Sequence, residues 1–350
     1  MNRRQFLSVT GGAVAASVAG CIGDTSDSDD ERTLVVGTCS SFVDAPTTSP
    51  GAWVKTAFEE AFDARLVWQT PANEVNYYVE RASAGVDLEA DLYLGLNVDD
   101  LVRVDEAGDV DLFVEAGDVE GIEDVKPELE FDPQGRAVPY DTGYISLVYD
   151  GTEIEAPETF EGLLEEEHRG DLITQNPAGS TTGQAFLLHT VARFGDDYLD
   201  FWADLQENDV RVLGSWGDAY NAWQEGEAPM VVSYSTDQVF AAAEGADLEH
   251  HQIRFLDGEG YANPEGMAVF ADATSPELAR DFMGFLLRPE VQGEIAQRNV
   301  QFPATTTAEL PADYAEYAHA PPNPVTFTYE ELQGNVSEWI EDWERQFAGN

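Results

Sequence analysis

Short apolar runs alternate with segments of helical periodicity through the first third of the chain. The segment TLVVGTCSSF predicts a buried strand that runs into a loop, and LVWQT and ADLYLGL predict two more strands. Helical spacing follows each strand, from Trp53 to Phe62, from Asn73 to Ser83 and from Val98 to Ala107. Strands that alternate with helices in this way form mostly parallel sheets covered on both faces, so the pattern predicts an α/β fold.

The pattern changes at Ala137–Asp150 to the extended run AVPYDTGYISLVYD, which predicts a crossing into a second lobe. There it predicts helices at Phe160–Glu166, from Gly183 and at Asp197–Leu205, the strand DLITQ, and short strands at Arg211–Leu213 and Met230–Ser233. Return crossings are predicted at ANPEGMAVFAD and NVQFPATTT, and helices at SPELARDFMGFLL and VSEWIEDWERQF. The expected lobes are 33–139 with 265–303, and 140–264 with 304–350, around a hinged interlobe cleft.

Length and charge narrow the class of protein. A chain of 350 residues exceeds what one core usually supports, which agrees with two lobes. Acidic residues number 68 against 17 basic ones, and the net charge of −51 excludes nucleic acid as a partner because phosphate would be repelled. The acids are spread along the chain, a pattern typical of a halophile, so the charge says little about the ligand.

The N-terminus has the pattern of a targeting segment. Arg3-Arg4 precedes an apolar run of small residues that ends at Cys21. The run is too short, and its side chains are too small, for a transmembrane anchor. Residues 1–20 resemble a twin-arginine lipoprotein signal peptide, which implies lipidation of Cys21, and residues 21–32 predict an acidic tether. Cys39 would then be the remaining thiol, with no partner for an intrachain disulfide.

Two stretches between residues 174 and 237 predict a small-ligand site. In TQNPAGSTTG, Ser180 and Thr181 precede a helix whose free N–H groups suit an anion, although an ordinary N-cap explains the same residues. Trp216 and Tyr234 each follow a short strand. Aromatic residues at strand ends lie where open α/β sheets bind ligands, although core packing explains Trp216 equally well.

The order QNPAGSTTG, SWGDAY, VVSYST resembles the thiamine-binding receptors of ABC importers, from about Leu34 to Phe347. The resemblance implies a type II periplasmic-binding-protein-like fold, thiamine or its phosphates as ligand, and an ABC permease with its ATPase subunit as partners. It implies no cofactor. The ligand-binding positions that it implies are Asn73, Ser180, Thr181, Trp216, Tyr234, Ser235, Thr236, Asp237 and Phe240.

Three departures from that family affect the expected site. Asn73-Glu74 stands where the family has an acidic residue and glycine, and Val300 replaces a tryptophan that Phe302 could compensate. Asp237 replaces a small hydroxyl residue. A carboxylate there is expected to favour the thiamine cation and to oppose a phosphate.

Other functions have weaker support in the sequence. Nucleophile, phosphate-loop and metal-ligand motifs are missing, which disfavours a secreted hydrolase or transferase. The adjacent pair His250-His251 is expected to face solvent. Receptors of the same fold for ferric iron, polyamine or phosphonate remain alternatives. Iron is disfavoured because Tyr234 lies between Ser233 and Ser235 and lacks a neighbouring tyrosine.

Overall fold

The computed structural model describes residues 32–107 and 111–348, so Arg3, Arg4, Cys21 and most of the predicted tether lie outside the described residues. The strands are β1 (Thr33–Thr38), β2 (Arg65–Gln69), β3 (Leu92–Leu96), β4 (Ala137–Tyr149), β5 (Leu172–Gln175), β6 (Arg211–Leu213), β7 (Met230–Tyr234), β8 (Gln252–Arg254), β9 (Glu259–Val269), β10 (Phe302–Pro303) and β11 (Asn323–Val325).

The α-helices are α1 (Ser40–Asp44), α2 (Gly51–Phe62), α3 (Val75–Ser83), α4 (Val98–Glu106), α5 (Thr181–Phe194), α6 (Tyr198–Glu207), α7 (Trp216–Gln224), α8 (Asp237–Ala243), α9 (Pro276–Leu286), α10 (Pro289–Ile295), α11 (Tyr314–Tyr317), α12 (Tyr329–Leu332) and α13 (Val336–Ala348). Within the described ranges, none of them is both long and apolar enough to span a bilayer.

The strands form one continuous sheet in the order β2-β1-β3-β9-β4-β7-β5-β6. Strand β1 is parallel to β2 and β3, and β5 is parallel to β6 and β7, while the long strands β4 and β9 are antiparallel to each other. We call the part built on β2-β1-β3 the first lobe and the part built on β7-β5-β6 the second lobe. Helices separate the parallel strands along the chain, which confirms the predicted α/β class.

Strands β4 and β9 run through both lobes. The first half of β4, Ala137 to Tyr144, pairs with β9, and the second half, Ile145 to Tyr149, pairs with β7. The register between β4 and β9 shifts between Pro139 and Asp141. Proline has no N–H to donate to the ladder, so an irregularity at this position is expected. The two lobes are therefore joined by strands, not by loose linkers.

Each lobe buries its own set of aromatic side chains. In the first lobe, Phe58 of α2 is fully buried and its ring lies 5.1 Å from that of Phe282 of α9. In the second, Trp202 of α6 donates its indole N–H to Thr190 Oγ1 at 2.9 Å and meets Trp343 of α13 edge to face. Burying one such ring contributes about 1.5–3 kcal/mol.

The prediction of a helix at Phe160–Glu166 is wrong, since this stretch forms two short 3₁₀ turns, Glu161–Leu164 and Glu166–His168. Between them Glu165 is extended, with φ −70° and ψ 143°. In a continuous helix Glu161 and Glu165 would lie one turn apart on the same face, and like charges at this spacing destabilise a helix. Helices α1, α7, α8, α10, α11 and α12 were not predicted. All of them except α7, which has nine residues, have seven residues or fewer and too few turns to show a period.

Candidate functional site

A cavity of about 1070 Å³, including the part open to solvent, lies between the lobes. The first lobe contributes α1, the loop after it and Glu74. The second lobe contributes the N-terminal ends of α5, α7 and α8, and the base is formed by Glu265 of β9 and the π-helical turn Ala296–Val300. The cavity therefore lies at the carboxyl ends of β1, β5, β6 and β7, which is the usual ligand position in open α/β sheets.

Trp216 forms one wall and is held by contacts on two sides. It is the first residue of α7, which Ser215 caps by accepting the Asp218 N–H at 3.1 Å. The Trp216 indole N–H donates to Ser233 Oγ at 3.0 Å, and its ring lies 5.0 Å from that of Tyr220 at an interplanar angle of 31°. With its N–H bonded to Ser233 and one face against Tyr220, Trp216 has its other face available to a ligand.

Tyr234 ends β7 and lies across a glycine of β4. A Cβ built on Gly143 would be 2.3 Å from Tyr234 Cδ1 and 2.3 Å from Gln301 Oε1, so the ring occupies the space that a side chain would need. The Tyr234 hydroxyl accepts a hydrogen bond from Asn263 Nδ2 at 3.2 Å. Burial raises the pKa of Tyr234 well above 10, so this residue contributes a neutral aromatic ring.

The N-terminus of α5 is already faced by a carboxylate. Ser180 caps the helix by accepting the Gly183 N–H at 3.4 Å, and the Thr181 hydroxyl donates to Glu74 Oε2 at 3.1 Å. The Thr181–Glu74 contact joins the two lobes. Glu74 has φ 50° and ψ −130°, a conformation that glycine adopts more easily, and such strain is common at functional sites.

Carboxylates dominate the charge of the cavity. Among the described residues, its lining includes Asp44, Glu74, Asp237 and Glu265 but no lysine, arginine or histidine. Burial, followed by the nearby Asp100, raises the pKa of Glu74 to about 7. Burial also raises the pKa of Glu265, which accepts a hydrogen bond from the Tyr140 hydroxyl at 2.6 Å. A bound cation would favour the ionised form of both groups.

Both carboxylate oxygens of Asp237 are hydrogen-bonded. The Tyr220 hydroxyl donates to Oδ1 at 2.5 Å, and His251 Nδ1 lies 2.6 Å from Oδ2. The expectation that His250 and His251 both face solvent is therefore wrong for His251, whose side chain is 12% exposed against 51% for His250. Adjacent residues point apart, and here one of them points inward.

The structure places seven of the nine predicted ligand-binding residues in the cavity wall: Ser180, Thr181, Trp216, Tyr234, Thr236, Asp237 and Phe240. Asn73 is exposed and lines a neighbouring pocket, which shares Glu74 with the cavity. Ser235 is fully buried outside the wall, where its hydroxyl donates to the carbonyl of His319 at 2.5 Å. The direct contact expected of Ser235 therefore does not fit this geometry.

Several residues of the wall were missed from the sequence. Glu265 and Asp44 are carboxylates among 68 acidic residues, so nothing in the sequence singles them out. Burial raises the pKa of Cys39, another residue of the wall, to about 12. Val300 lines the cavity at φ 55°, and Phe302 does not replace the missing tryptophan, because its ring packs 5.4 Å from that of Tyr144 outside the cavity.

Comparison with known proteins identifies the family of the chain. Residues 53–322 match the family described as Bacterial extracellular solute-binding protein. The chain belongs to this family. A member of a family of solute-binding proteins is a binding receptor and not an enzyme, which agrees with the missing catalytic motifs. The hydrolase or transferase alternative is therefore not supported.

The relatives cover nearly the whole chain. A thiamine-binding periplasmic protein of Escherichia coli strain K12 is 30% identical over 89% of this chain and 92% of its own length. One of Brucella suis biovar 1 is 27% identical over 89% and 91%. A solved periplasmic thiamin binding protein superposes with a TM-score of 0.80 at 27% identity, covering 91% and 97% of the two chains. The predicted two-lobed fold is confirmed.

Proposed function

We propose that this protein is the extracellular receptor of an ABC importer and binds thiamine in the interlobe cleft for delivery to the permease. The observation that carries the proposal is a cavity with the aromatic rings of Trp216, Tyr234 and Phe240 and four carboxylates. Thiamine has a thiazolium cation and an aminopyrimidine ring. Each favourable contact of a cation with an aromatic face is worth about 0.5–2 kcal/mol.

The carboxylates favour the free vitamin over its phosphates. A helix N-terminus carries only about half a positive charge, and Glu74 already faces that of α5. A phosphate at this position would lie against the Glu74 carboxylate and would compete for the Thr181 hydroxyl. Within the cavity no cationic side chain of the described residues would offset that repulsion. We infer that thiamine binds more tightly than thiamine diphosphate.

The residues of the cavity also rank the alternative ligands, which are ferric iron, phosphonate and polyamine. Within residues 32–107 and 111–348, no group of three or more His, Cys, Asp or Glu side chains could hold a metal ion, which disfavours ferric iron. A phosphonate would meet four carboxylates without a cationic partner. A polyamine is the second candidate, because these carboxylates suit it as well, but aliphatic amines make less use of flat aromatic walls.

We also propose that the receptor is exported by the twin-arginine route and anchored in the membrane by a lipid on Cys21. Arg3-Arg4, the short apolar run and the acidic residues before Arg32 support this assignment. The permease would work with an ATPase subunit. The net charge of −51 supports an environment of high salt, where repulsion among surface carboxylates is screened.

Calorimetry on the purified protein in molar salt tests which ligand it binds. Thiamine, thiamine diphosphate, spermidine, ferric citrate and methylphosphonate are titrated separately. We expect saturable one-to-one binding of thiamine, weaker binding of the diphosphate, and no saturation with the other three. Tighter binding of spermidine than of thiamine would replace the proposed ligand by a polyamine, and absence of thiamine binding would refute the proposal.

A further inference from the structure

The pocket that Asn73 lines, which we call the second pocket, lies behind one wall of the ligand cavity. Its volume is about 910 Å³, including the part open to solvent, which is close to that of the cavity and within the range of pockets that hold small organic molecules. The residues that line both spaces are Glu74, Gly179, Ser180 and Thr181. The two spaces therefore share a wall that contains the N-terminal end of α5.

The side chain of Glu74 closes this wall from the side of the first lobe. Among the described residues, the first lobe adds Glu74 alone to the shared wall, and the other three residues belong to the second lobe. Glu74 Oε2 accepts a hydrogen bond from the Thr181 hydroxyl at 3.1 Å. This contact bridges the lobes at the boundary between the cavity and the second pocket.

We propose that the Glu74 side chain is a specificity-determining partition, which keeps the ligand out of the second pocket and so limits how far a thiamine derivative can extend beyond the vitamin itself. This inference rests on the proposed function and extends it from the charge of the ligand to its size. The role is steric, so it does not depend on ionisation of the carboxyl. Glutamine has the same size and also accepts from Thr181, so it should close the wall as glutamate does.

The backbone at Glu74 supports a role for its side chain. With φ 50° and ψ −130°, this residue has a conformation that glycine adopts more easily. Strain of this kind at a residue with a side chain is common at functional sites. The same conformation makes Glu74→Gly a mild change for the fold, because glycine removes the strain together with the side chain.

The second pocket differs in chemistry from the cavity. Its lining includes the guanidinium group of Arg103, which is paired with Asp100, whereas the cavity lining has no cationic side chain among the described residues. Without the partition, a ligand would gain both new volume and access to this guanidinium. A thiamine phosphate would then respond to charge and to size together, so ligands with neutral substituents are the sharper probes.

The test compares three ligands that carry the same single positive charge but differ in size. O-Benzoylthiamine extends the hydroxyethyl end of thiamine, and a derivative with butyl in place of the pyrimidine methyl group extends the other end. Calorimetry at one pH, in one high-salt buffer, gives the ratio of the dissociation constant of each derivative to that of thiamine. The charges of the cavity act on all three cations alike, so their effect cancels in this ratio.

The wild-type protein should bind both derivatives about tenfold or more weakly than thiamine, because their substituents meet a closed wall. Glu74→Gly should lower this ratio about ten- to hundredfold for at least one derivative, because the apolar substituent becomes buried in the second pocket. Glu74→Gln is the matched control and should leave both ratios unchanged, although it weakens binding of all three cations. Glu74→Ala keeps a Cβ and provides an independent test if Glu74→Gly does not fold.

A change on the far side of the wall identifies the space that the substituent enters. Asn76 lies on α3 and lines the second pocket but not the cavity. Asn76→Phe in the Glu74→Gly background should fill the second pocket and restore discrimination against the larger ligand. Alone, Asn76→Phe should leave the wild-type ratios unchanged. A general loosening of the cleft by Glu74→Gly would not be reversed in this way.

The inference is overturned if the ratios of folded Glu74→Gly and Glu74→Ala match those of the wild type, or if the wild type binds both derivatives as tightly as thiamine. A gain that Glu74→Gln reproduces would assign the selection to charge, and a gain that persists with Asn76→Phe would place the substituent outside the second pocket. Each of these results also refutes the partition. If the wild type does not bind thiamine at all, the proposed function fails instead, so the two failures are distinguishable.

Discussion

Replacing Glu74 by Gln is expected to stabilise the ligand-free protein at alkaline pH while weakening the binding of thiamine. Burial, with Asp100 as the next cause, raises the pKa of Glu74 from 4.5 to about 7. Folding therefore favours the protonated carboxyl. The stability associated with that proton is fully present below pH 4.5 and is lost as the pH rises through 7.

The size of the effect follows from the two pKa values. A rise from 4.5 to about 7 corresponds to about 3 kcal/mol above pH 8, since one pKa unit is worth about 1.4 kcal/mol. Glutamine does not ionise, and its side-chain oxygen can still accept from Thr181. The stability of Glu74→Gln relative to wild type should therefore increase by about 2–3 kcal/mol between pH 5 and pH 8.

Urea unfolding of the ligand-free proteins at pH 5 and pH 8, in one high-salt buffer, measures this difference. Glu60→Gln is the control, because Glu60 is an exposed glutamate on α2 outside the cavity. Its effect on stability should be the same at both pH values. If Glu74→Gln changes stability equally at pH 5 and pH 8, then Glu74 is not a desolvated carboxyl and its charge cannot explain selection of a cation.

Three further predictions concern binding, hinge motion and anchoring. Trp216→Ala should weaken thiamine binding by about 1–3 kcal/mol in calorimetry. Trp339 lies on α13 outside the cavity, so Trp339→Ala is the control and should not weaken binding. Normal binding by Trp216→Ala would assign Trp216 to the core. Small-angle scattering should show a smaller radius of gyration with saturating thiamine, as β4 and β9 bend near 139–144 and 262–266, and an unchanged radius would argue against closure. Cys21→Ala should move the protein from the membrane to the soluble fraction with ligand binding intact, and membrane association of this variant would contradict the lipid anchor.

Most of the regular structure could be predicted because strands and helices of this fold differ clearly in period. The helix predicted from Trp53 to Phe62 is α2, which begins two residues earlier, and AVPYDTGYISLVYD contains β4. Helix α8 has only seven residues, about two turns, which is too short to show a helical period in the sequence. It was therefore missed, and with it the turn that directs Asp237 toward both the cavity and His251.

The aromatic wall could be predicted from the sequence, whereas its charges could not. Trp216 and Tyr234 follow strands, and strand ends mark the ligand side of an α/β sheet. Glu265 lies within β9, far along the chain from either residue, and only the pairing of β9 with β4 brings it to the cavity. Glu74 appeared in the sequence only as a departure from a glycine, yet its backbone adopts the conformation that a glycine would provide.

The close approach of Gly143 to Tyr234 has a consequence for reshaping this receptor into a biosensor. A library aimed at other aromatic cations can vary Phe240 and Val300, whose side chains line the cavity. Gly143 must be kept, because the Cβ of an alanine there would lie 2.3 Å from Tyr234 Cδ1 and would displace the ring. Gly143 and Tyr234 are thus sterically coupled, and a redesigned pocket that replaces one of them must rebuild both.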